Sequence, residues 1–241
     1  MQYANFTRDD KNPIKRFLQR KRLRDAMALT IGCGRLSSIL DYGAGDGELS
    51  RLLAIRLPEA RVCCYEPYQS LREQALSNTR NVPNVEVVGS LEHLERESFD
   101  LILCTEVFEH LPHDETEESL RTIGSLLRDT GVGVIGVPLE MYLPAAFKGL
   151  FRIARRFGDY DATPLNVLRA SLGSPPQNRP LSEIDRGLRY YFHHMGFDHR
   201  RLETQLQPHF HIRRSIASPC PPLGTFLNSE VYFLVEKRGA C

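Results

Sequence analysis

Short apolar runs alternate with amphipathic helical patterns from about residue 38 to residue 138. The strand-like runs fall at 39–40, 61–65, 84–88, 98–104 and 133–137, and the helical patterns at about 47–57, 68–79 and 115–128. Because each crossover between parallel strands is right-handed and passes over one face of the sheet, this alternation predicts a doubly wound α/β fold. Two later runs, 210–216 and 230–235, predict two further strands. The length of 241 residues suits a single α/β domain over 1–241, preceded by a basic helix at about 11–30.

A glycine-rich turn, Asp41–Gly47, separates the first predicted strand from the first helical pattern. Its glycines, Gly43, Gly45 and Gly47, permit a tight turn and the close approach of a ligand where a Cβ atom would clash. Backbone amides at the start of the following helix would face that ligand. The turn therefore predicts a binding site at the carboxyl end of the first strand.

Glu66 closes the second strand-like run, 61–65. A carboxylate in this place can accept both hydroxyl hydrogens of a ribose. A dinucleotide fingerprint would need its third glycine at position 48, but Glu48 stands there and the glycine is Gly47. The Tyr-x-x-x-Lys pair of many dehydrogenases is also missing from the sequence. The turn and the acid together predict a nucleoside-bearing cofactor that is not a nicotinamide dinucleotide.

The Asp-x-Gly-x-Gly-x-Gly pattern at 41–47 resembles motif I of the class I S-adenosylmethionine-dependent methyltransferases. The Phe-Asp-Leu-Ile-Leu run at 99–103 is typical of that family's fourth strand, and 105–112 is similar to the substrate side of its small-molecule O-methyltransferases (type 11/12). The resemblance covers about residues 35–138 and 186–236. It implies a Rossmann-like, mostly parallel sheet of seven strands with an antiparallel last strand, and S-adenosyl-L-methionine as the cofactor.

The resemblance also implies which residues contact the cofactor. The turn would wrap its methionine part, Glu66 would hold its ribose, and Ser90 would lie against the adenine, where many members carry an acid. In related enzymes a leading helix closes over the cofactor, so Arg16 or Arg20 could pair with its carboxylate, while most basic residues of this helix are expected on a solvated face. The implied cofactor-binding residues are Asp41, Gly43, Ala44, Gly45, Gly47, Glu66, Pro67, Ser90, Thr105 and Arg20.

Two histidines are predicted to take part in catalysis. Methyl transfer from a sulfonium is an in-line displacement, so the protein aligns the reactants and, for a hydroxyl acceptor, removes a proton. A histidine suits that proton transfer because its ordinary pKa lies near neutral pH. His110 follows the fourth strand, whose carboxyl end faces the cleft of such a fold. A second group, His193, His194 and His199, precedes a helix at 200–206 and could reach the same cleft. From these we select His110 and His194.

An alternative interpretation assigns His110 and His194 to a metal site instead. Glu106, Glu109 and His110 form a Glu-x-x-Glu-His string that, with a downstream histidine such as His194, resembles the metal site of the small-RNA 2′-O-methyltransferases. In that family two carboxylates and two histidines hold a divalent cation against ribose hydroxyls. Similar strings also occur in metal-free quinone-type O-methyltransferases, so both alternatives stay open.

The alternation of strands and helices stops after residue 138. Residues 139–185 form an insertion where this fold commonly builds a substrate lid. Within it, apolar residues at helical spacing beside Lys148, Arg152, Arg155 and Arg156 predict a basic amphipathic helix at about 145–157. Such a helix can make peripheral contact with an anionic membrane or bind an acidic substrate. We favour here the alternative that it packs on its own domain with its arginines in water.

Composition adds bounds on location and partners. An apolar fraction of 41%, a charged fraction of 25% and a net charge of +1 indicate a globular protein and argue against a general nucleic-acid binder. No apolar run approaches membrane-spanning length, and the N-terminus shows no signal-peptide core. The six cysteines include no Cys-x-x-Cys pair, so we expect reduced thiols in a cytoplasmic protein.

Missing motifs exclude several nucleic-acid methyltransferases. Enzymes that methylate exocyclic amino groups carry Asn/Asp-Pro-Pro-Tyr/Phe after the fourth strand, where this chain has Cys-Thr-Glu-Val at 104–107. The Pro-Cys nucleophile of cytosine-C5 enzymes and the strand-five lysine of the Lys-Asp-Lys-Glu group are also missing. The predicted acceptor is therefore a hydroxyl of a small, glycan-type or lipid-type molecule. The alternatives are a metal-dependent RNA 2′-O-methyltransferase and a non-catalytic cofactor-binding scaffold.

Overall fold

The computed structural model describes residues 13–32, 34–184 and 187–238, with side chains from residue 21 onward. In chain order the strands are β1 Ser38–Tyr42, β2 Arg61–Tyr65, β3 Val85–Val88, β4 Phe99–Thr105, β5 Leu127–Pro138, β6 Ser182–Ile184, β7 Leu188–Tyr190, β8 Phe210–Ser218 and β9 Glu230–Lys237. Seven of them form one sheet in the order β3-β2-β1-β4-β5-β9-β8, and β6 pairs with β7 in a separate hairpin. This confirms the seven-stranded α/β fold that the resemblance implied.

Strand direction in the main sheet also agrees with the prediction. The pairs β1–β2, β2–β3, β1–β4 and β4–β5 are parallel, whereas β9 is antiparallel to both β5 and β8. The strand order reverses between β1 and β4, because the chain runs outward to β3 and then returns to the other side of β1. A crevice at the carboxyl ends of the strands forms at such a reversal, and ligands of open α/β sheets bind there.

Both faces of the sheet are buried, which explains why its central strands are apolar throughout. Neighbouring residues point to opposite faces, so Ile39 and Leu101 belong to one hydrophobic cluster while Leu40 and Ile102 belong to the other. The helices are α1 Pro13–Ala28, α2 Glu48–Arg56, α3 Gln69–Thr79, α4 His113–Leu126, α5 Tyr142–Arg156, α6 Pro164–Ser171, α7 His199–Leu206 and α8 Gly224–Leu227. The first helix was predicted at 11–30, and its first two positions lie outside the described residues.

After β5, where an insertion at 139–185 was predicted, the chain leaves the main sheet. The hairpin β6–β7 lies outside that sheet, and the next helix that packs on it, α7, begins at His199. The segment 139–198 is attached to the residues that follow β4. The backbone N–H of Tyr191 donates to the carbonyl oxygen of His110 at 2.8 Å, and Arg179 donates to the carbonyl oxygen of Glu109 at 2.6 Å.

The orientation of α5 corrects the interpretation favoured from the sequence. Arg152 does not lie in water as expected: it and Lys148 donate to the carboxylate of Glu140, which is only 1% exposed. The apolar side chain of Phe147 instead faces solvent and is 84% exposed. Lys148 and Arg152 therefore face inward, whereas Arg155 and Arg156 are exposed as expected, and the large apolar side chains of the helix face outward.

Candidate active site

The glycine turn has the left-handed conformation that its sequence requires. Gly43, Gly45 and Gly47 have φ angles of 73°, 57° and 75°, which residues with a Cβ atom rarely adopt. A Cβ on Gly43 would lie 2.5 Å from Val107, so this glycine also permits close packing against the segment after β4. A Cβ on Gly45 would meet nothing within 4 Å. The turn is therefore packed at Gly43 and open at Gly45.

Glu66 and the glycine turn are joined directly. Its Oε2 atom accepts a hydrogen bond from the backbone N–H of Gly45, and its Oε1 atom accepts one from Tyr68, each at 2.8 Å. Burial raises the pKa of Glu66 to about 7, against the opposing effect of these two hydrogen bonds. An ionised carboxylate has about four acceptor positions, so two remain for ribose hydroxyls. The open side of Gly45 and this spare capacity fit a nucleoside-bearing cofactor.

The structure places Asp41 behind the turn. Its carboxylate is buried and accepts a hydrogen bond from the hydroxyl of Ser50 on α2 at 2.6 Å. Burial raises the pKa of Asp41 to about 6, although the hydrogen bond from Ser50 acts in the opposite direction. Asp41 therefore links the end of β1 to α2 through this hydrogen bond. The backbone N–H groups of Gly43 and Ala44 both donate to the carbonyl oxygen of Tyr65 and so link the turn to the end of β2.

Arg72, which the sequence reasoning missed, holds the neighbouring loops in place. Its guanidinium donates to the carbonyl oxygens of Glu66 and Pro67. A Cβ on Gly89 would lie only 2.8 Å from this guanidinium. Ser90, the residue predicted near the adenine, is exposed, and its hydroxyl accepts a hydrogen bond from the N–H of Glu92 at 3.2 Å. Arg72 lies six residues after Glu66, in the first turn of α3, and no motif in the sequence points to this contact.

Thr105 and Glu106 mark the carboxyl end of β4. Thr105 is its last residue, and a Cβ on Gly136 of β5 would come within 3.1 Å of the Thr105 methyl group. Glu106 has a φ of 58°, an uncommon left-handed conformation for a residue with a long side chain. Such backbone conformations occur often at functional sites. The strand therefore ends in a strained turn next to the glycine loop.

α1 crosses this end of the sheet. Arg22 pairs with Glu106 at 2.9 Å and with the buried Glu230 at 2.7 Å. The expectation of a solvated basic face is thus wrong for Arg22, whose partners lie far along the chain. Arg20, the residue predicted to pair with the cofactor, lies on α1, but its side chain and that of Arg16 are outside the described residues.

His110 and His194, the two histidines selected from the sequence, lie close together. Their ring centroids lie 4.8 Å apart, and the ring of His110 stacks on that of Tyr190 at 4.3 Å. The Nδ1 atom of His110 lies 2.7 Å from the carbonyl oxygen of Tyr191. Because a carbonyl oxygen only accepts, Nδ1 carries the proton and Nε2 is left as an acceptor. The Nε2 atom lies 3.7 Å from the Oε1 atom of Glu109.

Burial dominates the electrostatics of this cluster. It lowers the pKa of His110 to about 4 and that of His194 to about 3, so both rings are neutral at neutral pH. Burial and the neighbouring Glu106 raise the pKa of Glu109 well above its usual range. Within the described part of the chain, neither carboxylate oxygen of Glu109 has a hydrogen-bond partner. Two unpartnered, fully buried oxygens call for a proton, a ligand hydroxyl or a cation.

Three of the four residues in the metal alternative come together. Single ligand atoms from Glu109, His110 and His194 lie within 4.8 Å of one another, which is close enough to hold a cation. Glu106 is engaged instead by Arg22. His193 contacts Asp161 at 3.5 Å, and His199 is buried at the start of α7.

Comparison with known proteins agrees with this geometry. A family model described as a methyltransferase domain matches residues 11–206, most of the chain. A curated relative, the malonyl-[acyl-carrier protein] O-methyltransferase of Geobacter sulfurreducens, is 37% identical over 76 residues, which is 30% of this chain and 28% of that protein. The matched segment thus spans little more than a quarter of the relative.

Solved structures show the same fold. The N-methyltransferase NodS of Bradyrhizobium japonicum, in complex with S-adenosyl-l-homocysteine, has a TM-score of 0.61 at 16% identity, over 99% of this chain and 95% of that one. The 1,6-didemethyltoxoflavin-N1-methyltransferase of Burkholderia thailandensis has a TM-score of 0.59 at 17% identity, over 98% of this chain and 86% of that one. The chain belongs to the methyltransferase domain family and is a class I S-adenosylmethionine-dependent methyltransferase.

Proposed function

We propose that this methyltransferase acts on a hydroxyl oxygen of a small, glycan-linked or lipid-linked acceptor, and that His110 receives the hydroxyl proton. The observation that carries the proposal is the fixed tautomer of His110, whose Nδ1–H is directed at the carbonyl oxygen of Tyr191. The acceptor atom Nε2 is thereby presented beside Glu109 at the carboxyl end of β4, the end of the sheet that also carries the glycine turn.

S-adenosyl-L-methionine, when bound, supplies an electrophilic methyl group. The residues proposed to hold it are those of the glycine turn, with Gly45 open to the ligand and Glu66 accepting from the ribose hydroxyls. Thr105, Pro67 and Ser90 lie at the ends of the neighbouring strands and stay as proposed contacts. Asp41 supports the site from behind through Ser50.

The insertion 139–198 is proposed to cover the acceptor. It contributes the carbonyl oxygen of Tyr191 and the rings of Tyr190 and His194, all in contact with His110. These contacts orient the catalytic ring and exclude water from it. At neutral pH the ring is unprotonated and shielded from solvent, so Nε2 can accept a proton, although its lowered pKa of about 4 makes it a weaker base than an ordinary histidine.

The names of the relatives give partial support for oxygen rather than nitrogen as the atom that accepts the methyl group. The curated relative that shares a segment of sequence with this chain is an O-methyltransferase by name. The two structural neighbours are N-methyltransferases, but at 16% and 17% identity they carry information about the fold alone. The preference for oxygen therefore depends mainly on the His110 geometry.

A metal-dependent reaction at ribose hydroxyls is the second candidate function. It is favoured by the convergence of Glu109, His110 and His194 and by the two unpartnered oxygens of Glu109. The hydrogen bond from His110 to a backbone carbonyl also resembles the outer-shell contact that orients metal-bound histidines. Elemental analysis of the purified protein, with binding of Mn²⁺ or Zn²⁺ by calorimetry, separates the two functions: a stoichiometric ion lost in His194→Ala favours the metal.

The proposed function is tested by labelling. Cell extract incubated with the protein and isotope-labelled S-adenosylmethionine should yield a product with a labelled O-methyl group. We expect His110→Ala to retain cofactor binding and to lose turnover by about 10²-fold or more. The exposed His211→Ala serves as the matched control and should retain both. A labelled N-methyl product, or normal turnover in His110→Ala, would overturn the proposal.

A further inference from the structure

The geometry points to a membrane-binding face on the insertion. We propose that the apolar surface formed by Leu143, Phe147, Leu150 and Phe151 of α5 with Leu165 and Leu168 of α6, here named the α5–α6 surface, docks on an anionic lipid bilayer. All six side chains are exposed, from 46% for Leu143 to 84% for Phe147. The two helices pack against each other, and exposed apolar side chains grouped in this way mark interaction sites in proteins that are otherwise globular.

The exposed positions on α5 form one helical face. Positions 143, 147, 150 and 151 follow the spacing of a single stripe, which in a surface helix normally faces the core. Here the opposite stripe is buried, with Ala145 and Gly149 fully inside. A Cβ on Gly149 would lie 2.4 Å from Val167 of α6, so the two helices pack closely through their small residues. The usual amphipathic arrangement is thus reversed.

Buried ion pairs fix this reversed orientation. Glu140 is 1% exposed and accepts from Lys148 at 2.9 Å and from Arg152 at 3.0 Å. Turning the apolar stripe inward would remove both cations from Glu140 and leave a buried carboxylate without a partner, which is strongly unfavourable. Intramolecular collapse of the insertion therefore does not cover Phe147 or Leu150.

The charges around the α5–α6 surface select the occupant. The helical segments 142–156 and 164–171 contain five basic residues and no acidic one, but Lys148 and Arg152 pair with Glu140, and Arg156 pairs with Asp161. Arg155 and Arg169 are exposed, and the guanidinium of Arg155 lies 5.3 Å from the ring of Phe151. Phenylalanine and leucine side chains beside arginines are suited to the boundary between acyl chains and anionic headgroups.

A second copy of the chain fits this surface less well. In a two-fold contact the same patch meets itself, so the arginines that border one surface would approach those of the other. Across the described residues, no helix has the length and apolar character needed to cross a bilayer. The proposed contact is consequently interfacial, with the helices lying on the membrane.

This inference is independent of the methyl acceptor, but it bears on how an acceptor would reach the site. Glu140 anchors α5 and lies two residues after the end of β5, and the same insertion carries Tyr190, Tyr191 and His194 of the candidate active site. Docking of the α5–α6 surface would bring the insertion that carries these side chains to the membrane, where an acceptor attached to a lipid is held.

Vesicle co-sedimentation tests the proposal with the full chain. We expect binding to vesicles of phosphatidylcholine with about one quarter phosphatidylglycerol, weaker binding to phosphatidylcholine alone, and a decrease in binding as salt is raised. Phe147→Ser with Leu150→Ser should reduce binding at least tenfold, as should Arg155→Glu with Arg169→Glu. The matched control is Ile55→Ser with Leu76→Ser, two residues similarly exposed on α2 and α3, which should bind like the unmodified protein.

Folding and self-association are controlled separately. The serine variants should keep the thermal midpoint and the affinity for S-adenosylmethionine, because the replaced side chains are exposed and lie outside the cofactor site. Failure of the unmodified protein to bind anionic vesicles, or equal binding by Phe147→Ser with Leu150→Ser, would overturn the proposal. Sedimentation showing a dimer that these serines dissociate would also overturn it and assign the surface to a second copy.

Discussion

The backbone N–H of Gly45 donates a hydrogen bond of 2.8 Å to the carboxylate of Glu66, linking the glycine turn to the end of β2. The second oxygen of Glu66 accepts from Tyr68 at the same distance. The acid is therefore held rigidly before any ligand arrives, and the turn and the acid act as one unit. Such preorganisation reduces the entropy lost when a ligand binds.

We expect the affinity for S-adenosylmethionine to depend on pH through Glu66. Its pKa is raised to about 7 by burial, and only the ionised carboxylate can accept from both ribose hydroxyls. Affinity should therefore fall as pH is lowered through 7, by up to tenfold per pH unit below it. Calorimetric titration from pH 5.5 to 8.5 measures this slope.

The conservative variant Glu66→Gln is the control for that pH dependence. It keeps the size of the side chain and one acceptor oxygen, but it does not titrate. We expect weaker binding at pH 8 and a flat profile between pH 5.5 and 8.5. An unmodified protein with a flat profile, or a variant with the same slope, would remove Glu66 from ribose binding.

Alanine at Gly43 and at Gly45 should separate packing from ligand contact. Both residues have left-handed φ angles, so each substitution costs about 1–2 kcal/mol in backbone strain. Only Gly43→Ala adds a clash, with its Cβ 2.5 Å from Val107. We expect Gly43→Ala to lose about 2–4 kcal/mol of unfolding free energy in urea, and Gly45→Ala to lose only about 1–2 kcal/mol. Gly45→Ala should lose more affinity for the cofactor than Gly43→Ala does.

Relief of the clash provides the check on Gly43. Adding Val107→Ala to Gly43→Ala removes the two methyl groups nearest the new Cβ, so part of the lost stability should return. The same change added to Gly45→Ala should not stabilise it, since nothing lies within 4 Å of that Cβ. Equal effects of Val107→Ala in both backgrounds would contradict the steric explanation.

Asp41 and Asp100 should respond to pH in opposite directions. Burial raises the pKa of Asp41 to about 6, so the stability that it contributes is complete below about pH 4 and is lost as pH rises through 6. Asp41→Asn cannot ionise, and between pH 4 and 7 it should gain about 2–3 kcal/mol relative to the unmodified protein. Urea unfolding at several pH values measures the difference.

Asp100 should show the opposite dependence of stability on pH. Burial would raise its pKa, but hydrogen bonds from Ser37 and Ser38 and the contact with Arg128 lower it to about 2. Its contribution is therefore present above about pH 4 and lost as pH falls through 2. Asp100→Asn should lose stability at pH 7, by about 1 kcal/mol because the group is partly solvated, and little at pH 2. The same sign of pH dependence in both variants would refute this assignment.

The elements that were predicted correctly have local causes. The positions of β1 and α2 follow from alternating apolar runs and from glycines that the turn itself requires, and the closing acid Glu66 occupies the predicted strand end. In each case the controlling pattern lies within a few residues.

The features that were missed depend on partners distant in sequence. Arg22 is one of many basic residues in its helix, and only the fold shows that it meets Glu106 and Glu230. Arg72 has no recognisable motif. The direction of α5 was predicted wrongly because its pattern is amphipathic in either orientation, and the buried Glu140 decides which face turns inward.

The ion pairs of Glu140 should control the stability of α5. Glu140→Gln keeps the shape of the side chain but leaves Lys148 and Arg152 without their carboxylate, and we expect a loss of about 3 kcal/mol in the free energy of unfolding. Lys148→Met should cost less, since Arg152 still pairs with Glu140 at 3.0 Å. The double variant Glu140→Gln with Lys148→Met should show a coupling energy of about 1–2 kcal/mol, because Glu140 and Lys148 are in direct contact. Hydrogen exchange should locate the lost protection in α5.

As the matched control, Glu86→Gln breaks the exposed contact with Arg61 and should change the free energy of unfolding by less than about 0.5 kcal/mol. Additive effects of the Glu140 and Lys148 substitutions, or unchanged exchange in α5, would show that another contact fixes the orientation of this helix.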